Sequence, residues 1–411
     1  MSKKIYLDYA ATTPVDKEVF RAMKPYFSEK FGNAMSIHSF GQEALVAIDK
    51  ARSALAKFFH ATTAEIIFTS GATESNNLAV KGIIKSYQTQ SGSQKRKPHI
   101  ITTSFEHHCV LYACRSMAKE GLAEVTYVKP GKDGLIKAAD IKRAIRSNTI
   151  LVSVMHVNNE IGTVQPIAEI GKMIGLINKE QRTKNPSFKI IFHTDATQAI
   201  NYFDCNVDKL GVDLLSLSAH KIYGPKGVGM LYIRKGTPIR HIQDGGDQEF
   251  RMRAGTHNVA GIVGLGKAIE LVAKNSTRET PRIKNLRDYL IKKVLKEISK
   301  AKLNGSKIKR SPNNANFTFA DVEGEGLILS LDTERIAAST GSACSSGALT
   351  PSHVLLSIGL KPEEAHGSLR MTLGKYTTKK EIDVAIAKLK AVIGRLRKIS
   401  GRILSDYYSG K

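Results

Sequence analysis

Leu214 to Gly229 reads LLSLSAHKIYGPKGVG, and the fold turns on how its central residue, Lys221, is read. Leu214, Leu215 and Leu217 form a short apolar run of strand character that ends in a Gly/Pro-rich turn. A lysine at the end of a buried strand is costly unless its amine does chemistry, such as Schiff-base formation with a carbonyl compound. Ser218 and His220 stand just upstream, within reach of an anion. The plainer reading is a loop lysine whose amine points to water. The rest of the chain decides between the two.

Outward from this stretch, short apolar runs alternate with helical patterns for about 260 residues. Glu65–Ser70, His99–Thr103, Ile150–Val157, Ile190–His193 and Val228–Ile233 repeat the strand theme. Leu78, Ile83, Ile84 and Tyr87 mark a helix between the first two. Apolar strands separated by helices imply an α/β fold whose mainly parallel sheet is covered on both faces. Several polar residues fall just after strand ends, where ligands bind in such sheets. Beyond residue 262 the texture changes to a long helical stretch, a basic linker (Lys302–Asn314), a strand at Asn316–Ala320 and a helix near Glu325–Leu331. A final helix is opened by the Thr378/Glu381 capping pair, with Ile382, Ile386, Leu389, Ile393 and Leu396 along one side. This second part reads as a smaller α+β domain.

The chain has 411 residues, 42% hydrophobic and 24% charged, as in an ordinary globular protein. No apolar run approaches the roughly 20 residues of a membrane helix. The N-terminus lacks the apolar core of a signal peptide, so a cytoplasmic location is expected. Cys109, Cys114, Cys205 and Cys344 are scattered, which argues against a disulfide framework and against a zinc site. The first three read as structural thiols. Sixty-two basic against 37 acidic residues give a net charge of +25. The basic residues are dispersed, with the densest groups at Lys95-Arg96-Lys97 and Lys302–Arg310. No aromatics are interleaved with them as in RNA-binding runs. A solvated basic surface is the favoured reading, with nucleic acid or an acidic protein as the other possible partners.

Gly71-Ala72-Thr73 joins a strand to a helix start, where backbone N–H groups and the Thr73 hydroxyl can hold a phosphate. Asp195 closes a strand and suits either of two tasks: facing a pyridinium nitrogen or capping a helix. His107 can stack on a ring or serve as a structural residue. Together with Lys221, these residues supply the parts of a pyridoxal-phosphate site.

The motifs in order are YLDYAATTP (Tyr6–Pro14), FTSGATESNN (Phe68–Asn77), HVNNEIG (His156–Gly162), HTDATQ (His193–Gln198), SAHKIYGPKG (Ser218–Gly227), RAGT (Arg253–Thr256), STGSACSSGAL (Ser339–Leu349) and LRMTLG (Leu369–Gly374). On these the chain resembles the cysteine desulfurases of the NifS/IscS type, in the class V aminotransferase-like group of fold-type I pyridoxal-phosphate transferases. The resemblance implies a large domain, 15–262, with a mainly parallel seven-stranded sheet. It also implies a small α+β domain, 263–411, joined by segment 1–14 and carrying the cysteine loop. Lys221 is then expected to carry pyridoxal 5'-phosphate, His107 to stack on its ring, Asp195 to pair with the ring nitrogen and Gln198 with the phenolic oxygen. Ala72, Thr73, Ser218 and His220 are expected at the phosphate, with Thr256 reaching it from the other subunit of a homodimer. Asn159 and Arg370 are expected to hold the substrate carboxylate; a planar guanidinium suits that task.

Cys344 lies in a small, polar, glycine-bearing segment of the kind that leaves a thiol accessible and reactive. The implied reaction removes sulfur from L-cysteine, giving alanine and a persulfide on Cys344 for an iron–sulfur scaffold, tRNA thiolation or another sulfur carrier. Lys221 is expected to act as base at the substrate Cα and His107 to shuttle protons. Three features depart from what the resemblance leads one to expect: Asp244-Gly245-Gly246-Asp247 where His-Gly-Gly-Gly is common, a stop at Lys411 soon after the final helix where relatives carry a longer tail that docks an iron–sulfur scaffold, and the +25 charge. Competing readings are a selenocysteine lyase or aminotransferase on the same fold, or a basic RNA- or partner-binding protein that has lost catalysis. Intact Lys221, Cys344 and Arg370 argue against them.

Overall fold

The computed structural model describes residues 4–91, 96–184, 189–340 and 351–409. Cys344, most of the Ser339–Leu349 motif and Lys95 lie outside the described residues. The strands in chain order are β1 (Ile5–Tyr6), β2 (Ile66–Thr69), β3 (His99–Thr103), β4 (Glu124–Val128), β5 (Thr149–Ser153), β6 (Ile191–Asp195), β7 (Leu214–Ser218), β8 (Gly229–Ile233), β9 (Ala301–Leu303), β10 (Asn314–Phe319), β11 (Ile336–Ala337) and β12 (Ser368–Thr372). Seven of them form one sheet in the order β2-β8-β7-β6-β5-β3-β4, as expected of a fold-type I enzyme. Only β8 runs against its neighbours β2 and β7; the other pairs are parallel.

Why this sheet is buried on both sides follows from its sequence. Every residue of β2, β3, β6 and β7 is buried, and successive side chains point to opposite faces. Ile100, Leu151, Ile191, Leu214 and Leu231 pack on one side with Leu78 and Ile83 of helix Ala72–Ser91 and Val110 and Met117 of helix His108–Lys119. Ile101, Val152, Phe192, Leu215 and Met230 pack on the other with Leu55 of helix Ser39–Phe59 and Ile170 of helix Ile167–Lys184. Strand β4 was not expected. It lies at the sheet edge and is only half-buried along its length, so EVTYV lacks an apolar signature.

A second core gathers Ile5 and Leu7 with Phe317, Phe319, Leu369 and Met371 of the antiparallel sheet β12-β10-β9. Ile382, Ile386, Leu389 and Ile393 of helix Lys379–Ser409 cover it. That helix opens with the expected box: Glu381 Oε2 accepts from the Thr378 N–H at 2.9 Å, and Thr378 Oγ1 accepts from the Glu381 N–H at 3.2 Å. Helix Val259–Glu297 contributes Leu265 and Ile269 to the first core and Ile283 and Leu290 to the second. Among the described residues no helix is long and apolar enough to cross a membrane, and no group of three or more His, Cys, Asp or Glu could hold a metal.

One segment has a backbone that needs support. Glu249, Phe250 and Arg251 are successive non-glycine residues with φ of 48°, 56° and 67°. Such left-handed residues persist only where the surroundings over-determine them. The buried Glu249 carboxylate provides that support. It accepts from Arg52 Nη1 and Nη2 at 2.9 and 2.7 Å, from His257 Nε2 at 3.0 Å and from the Phe68 N–H at 2.7 Å. Burial pushes the carboxyl up, but the His257 and Arg52 hydrogen bonds outweigh it and hold Glu249 below the usual carboxylate range. Its stabilisation is therefore present above the unfolded carboxylate value and lost as pH falls through the lower folded value. Glu249→Ala strands the Arg52 guanidinium, which is 7% exposed, and is expected to cost about 3–5 kcal/mol. A urea midpoint equal to the parent's would refute this. The nearby Asp244 and Asp247 are exposed and pair locally with His241 at 3.1 Å and Arg251 at 3.3 Å.

Candidate active site

A cavity of about 530 Å³ opens beyond the carboxyl ends of β6 and β7, beside the first turn of helix Ala72–Ser91. This is where an open α/β sheet leaves room for a ligand. Ten of the expected residues line it: Ala72, Thr73, His107, Asn159, Asp195, Gln198, Ser218, His220, Lys221 and Arg370.

Lys221 ends a single 3₁₀ turn, Ala219–Lys221, that follows β7 directly. Its Nζ donates to the carbonyl oxygens of Ala10 and Ala11, both at 2.6 Å, so the amine is held in the cavity wall rather than extended into water. Gln198 Nε2 donates to the same Ala10 oxygen at 3.0 Å. The YLDYAATTP stretch thus frames the lysine, a role its sequence did not announce. Asp195 is followed by a turn and not by the helix start of its capping reading: its Oδ1 accepts from the Thr197 N–H at 3.0 Å, while Oδ2 accepts from Asn76 Nδ2 at 2.7 Å.

The end of the cavity at the helix start is built by conformation. Gly71 has φ +148°, and a Cβ there would sit 3.5 Å from Ser218 Oγ. A Cβ on Gly229 would lie 2.7 Å from Gly71 Cα, so both glycines keep β8, β7 and the helix start in close register. The helix N–H groups at Ala72 and Thr73 face no preceding turn and suit an anion. His220 Nδ1 pairs with Thr12 Oγ1 at 3.0 Å. Burial, followed by the charges of Lys221 and Lys226, pushes His220 down to about 4. His220 is therefore a neutral hydrogen-bonding group at neutral pH.

A lysine amine, a buried carboxylate and a helix N-terminus on one cavity are the donor set of a phosphorylated pyridine aldehyde. The buried Thr197 Oγ1 on the same wall has no hydrogen-bond partner among the described residues, as a group awaiting a ligand would. The residues present fit pyridoxal phosphate. Residues 5–384 match the family described as Aminotransferase class-V. The chain belongs to that family. It is similar to the cysteine desulfurase IscS of Dictyoglomus turgidum, 52% identical over 400 residues and 97% of each chain. It is also similar to the cysteine desulfurase IscS of Clostridium botulinum, 47% identical over 413 residues, covering 100% of this chain and 99% of that one. Among solved structures, a NifS-like protein superposes with a TM-score of 0.85 at 34% identity, covering 95% of this chain and 100% of that one. SspA, solved in complex with cysteine, gives 0.76 at 39%, covering 92% and 100%.

Arg370 lies on β12 and its side chain is 2% exposed. Nη1 donates to the Asn159 carbonyl oxygen at 2.9 Å and Nη2 to Asp8 Oδ1 at 2.8 Å. These bonds fix the plane of the guanidinium at the cavity. Asp8 is the partner sequence reasoning missed, since it stands 362 residues away. His107 caps helix His108–Lys119 through Nδ1, and its ring lines the cavity. Burial lowers its pKa, with the charges of Lys221, His108 and His353 acting the same way and Asp195 opposing them.

Two expected site residues stand apart. Thr256 is exposed and does not line this cavity. Cys344 falls outside the described residues. The three other cysteines are buried free thiols. Burial pushes Cys109 up to about 12 and holds Cys114 and Cys205 well above the usual thiol range. None of these three supplies a thiolate at neutral pH.

Proposed function

We propose that this chain is a cysteine desulfurase, taking sulfur from L-cysteine and releasing alanine. The observation that carries the proposal is one cavity holding the Lys221 amine, the Asp195 carboxylate and the fixed Arg370 guanidinium. The high identity to cysteine desulfurases over nearly the whole chain supports it. Ala72, Thr73, Ser218 and His220 would hold the phosphate of pyridoxal 5'-phosphate, and Asp195 its ring nitrogen. When bound, that group withdraws electrons from the substrate Cα. Lys221 moves the Cα proton, while Arg370 and Asn159 hold the carboxylate. The Cys344 thiolate attacks the substrate sulfur, the substrate C–S bond breaks, and the sulfur remains on Cys344 as a persulfide.

The same proposal includes a homodimer in which Thr256 serves the partner's phosphate site and a cytoplasmic setting, which three buried free thiols support. It also keeps the division into units 15–262 and 263–411. Sulfur delivery goes to an iron–sulfur scaffold or another sulfur carrier. Product analysis tests the activity: L-cysteine should yield alanine and, with a thiol reductant, one sulfide per alanine. A keto acid in place of alanine would mark an aminotransferase and defeat the proposal. Arg370→Lys loses the planar fork and is expected to lower kcat/KM for L-cysteine about 10- to 100-fold, mostly through KM. Parental kinetics in that variant would remove Arg370 from the carboxylate site.

A further inference from the structure

We propose that Cys109 is a positioning residue for His107: its thiol links His107 to Asn76, whose amide donates both to the Cys109 sulfur and to Asp195, in a hydrogen-bond relay that leaves the His107 ring proton on Nε2. The proposal deepens the desulfurase reading and uses its cavity.

The direction of each link follows from chemistry. The backbone N–H of Cys109 donates to His107 Nδ1 at 3.3 Å, because His107 caps the helix on which Cys109 stands. A backbone N–H cannot reverse, so Nδ1 is an acceptor, and a neutral imidazole then carries its proton on Nε2. Cys109 Sγ lies 2.9 Å from the same Nδ1. On its other side Sγ lies 3.0 Å from Asn76 Nδ2, which also donates to Asp195 Oδ2 at 2.7 Å.

The Asn76 amide has one workable orientation. An ionised carboxylate only accepts, so turning the amide over would set two acceptors against each other at Asp195. Asn76 Oδ1 is buried with no partner among the described residues, a cost the reversed amide would exceed. One amide hydrogen therefore serves Asp195 and the other serves the Cys109 sulfur. That leaves the sulfur as acceptor from Asn76 and its S–H as donor to Nδ1. Burial keeps the thiol protonated up to about 12, so it has a hydrogen to give.

The consequence is functional. Nδ1 is closed by two donors from Cys109, so neutral His107 presents Nε2 as a hydrogen-bond donor and offers no free ring nitrogen to accept a proton. The relay also ties the ring that would stack on the cofactor to the carboxylate that would hold its nitrogen.

The test is solid-state NMR of the holoenzyme labelled with ¹⁵N-histidine, with the His107 lines identified by their loss in His107→Asn. The relay requires an unprotonated Nδ1 and a protonated Nε2. It further requires Cys109→Ala to move the Nδ1 line towards that of a free acceptor nitrogen and Cys109→Ser to move it back. A proton on Nδ1, or an Nδ1 line unmoved by Cys109→Ala, overturns the proposal. If Cys109→Ala does not fold, the parental tautomer decides alone. Because the spectrum needs no turnover, absence of desulfurase activity would sink the functional reading and leave the tautomer assignment standing.

Discussion

Replacing Lys221 by alanine is expected to abolish alanine formation from L-cysteine and to remove the yellow colour of a cofactor joined to the amine. The side chain does two separable things. Its amine is directed into the cavity by the Ala10 and Ala11 carbonyls, which fixes where a carbonyl ligand can be captured. In the proposed reaction the same amine is the proton-transfer group for the substrate Cα. Loss of a positioned acid–base group alone is worth about 10²–10⁴-fold. Loss of covalent capture adds to that. The fold should survive, because Lys221 is only half-buried and ends a single turn rather than filling a core. Unchanged far-UV circular dichroism with no turnover and no absorbance from the joined cofactor is the expected pattern. A variant that turns cysteine over at the parental rate would return Lys221 to the status of a loop residue.

Cys344→Ser is expected to have a different signature of similar size. Serine keeps volume and polarity but offers no thiolate, so no persulfide forms and sulfide release stops. The colour should remain, since Lys221 and the Asp195 wall are untouched. The described cysteines cannot substitute. Cys109 borders the cavity but is protonated to about 12, and Cys114 and Cys205 are buried in the cores. Sulfide release from the serine variant at the parental rate would refute the persulfide route.

The large sheet was legible wherever a strand is buried on both faces. LLSLS at β7 and IFHTD at β6 carry their position in their composition, and Lys221, Thr197 and Gln198, which follow them closely, line the cavity. Strand β4 was not legible, because each of its side chains is partly exposed and EVTYV carries no continuous apolar run. In the site, the residues that end strands or open helices were readable from local pattern. Those that act through a distant partner were not. Asn76 reaches Asp195 across 119 residues and Asp8 reaches Arg370 across 362. Neither separation leaves a periodic or compositional trace. The sequence around Cys109 suggests a structural thiol, and its burial agrees, but it is the fold that brings its sulfur between Asn76 and His107.

The most direct test of the desulfurase account is peptide mass spectrometry after one equivalent of L-cysteine has reacted with the holoenzyme without reductant. The expected result is one additional sulfur atom on the Cys344 peptide, matched by one alanine in solution. Alanine formed with the added sulfur on Cys109 or on no cysteine at all would contradict it.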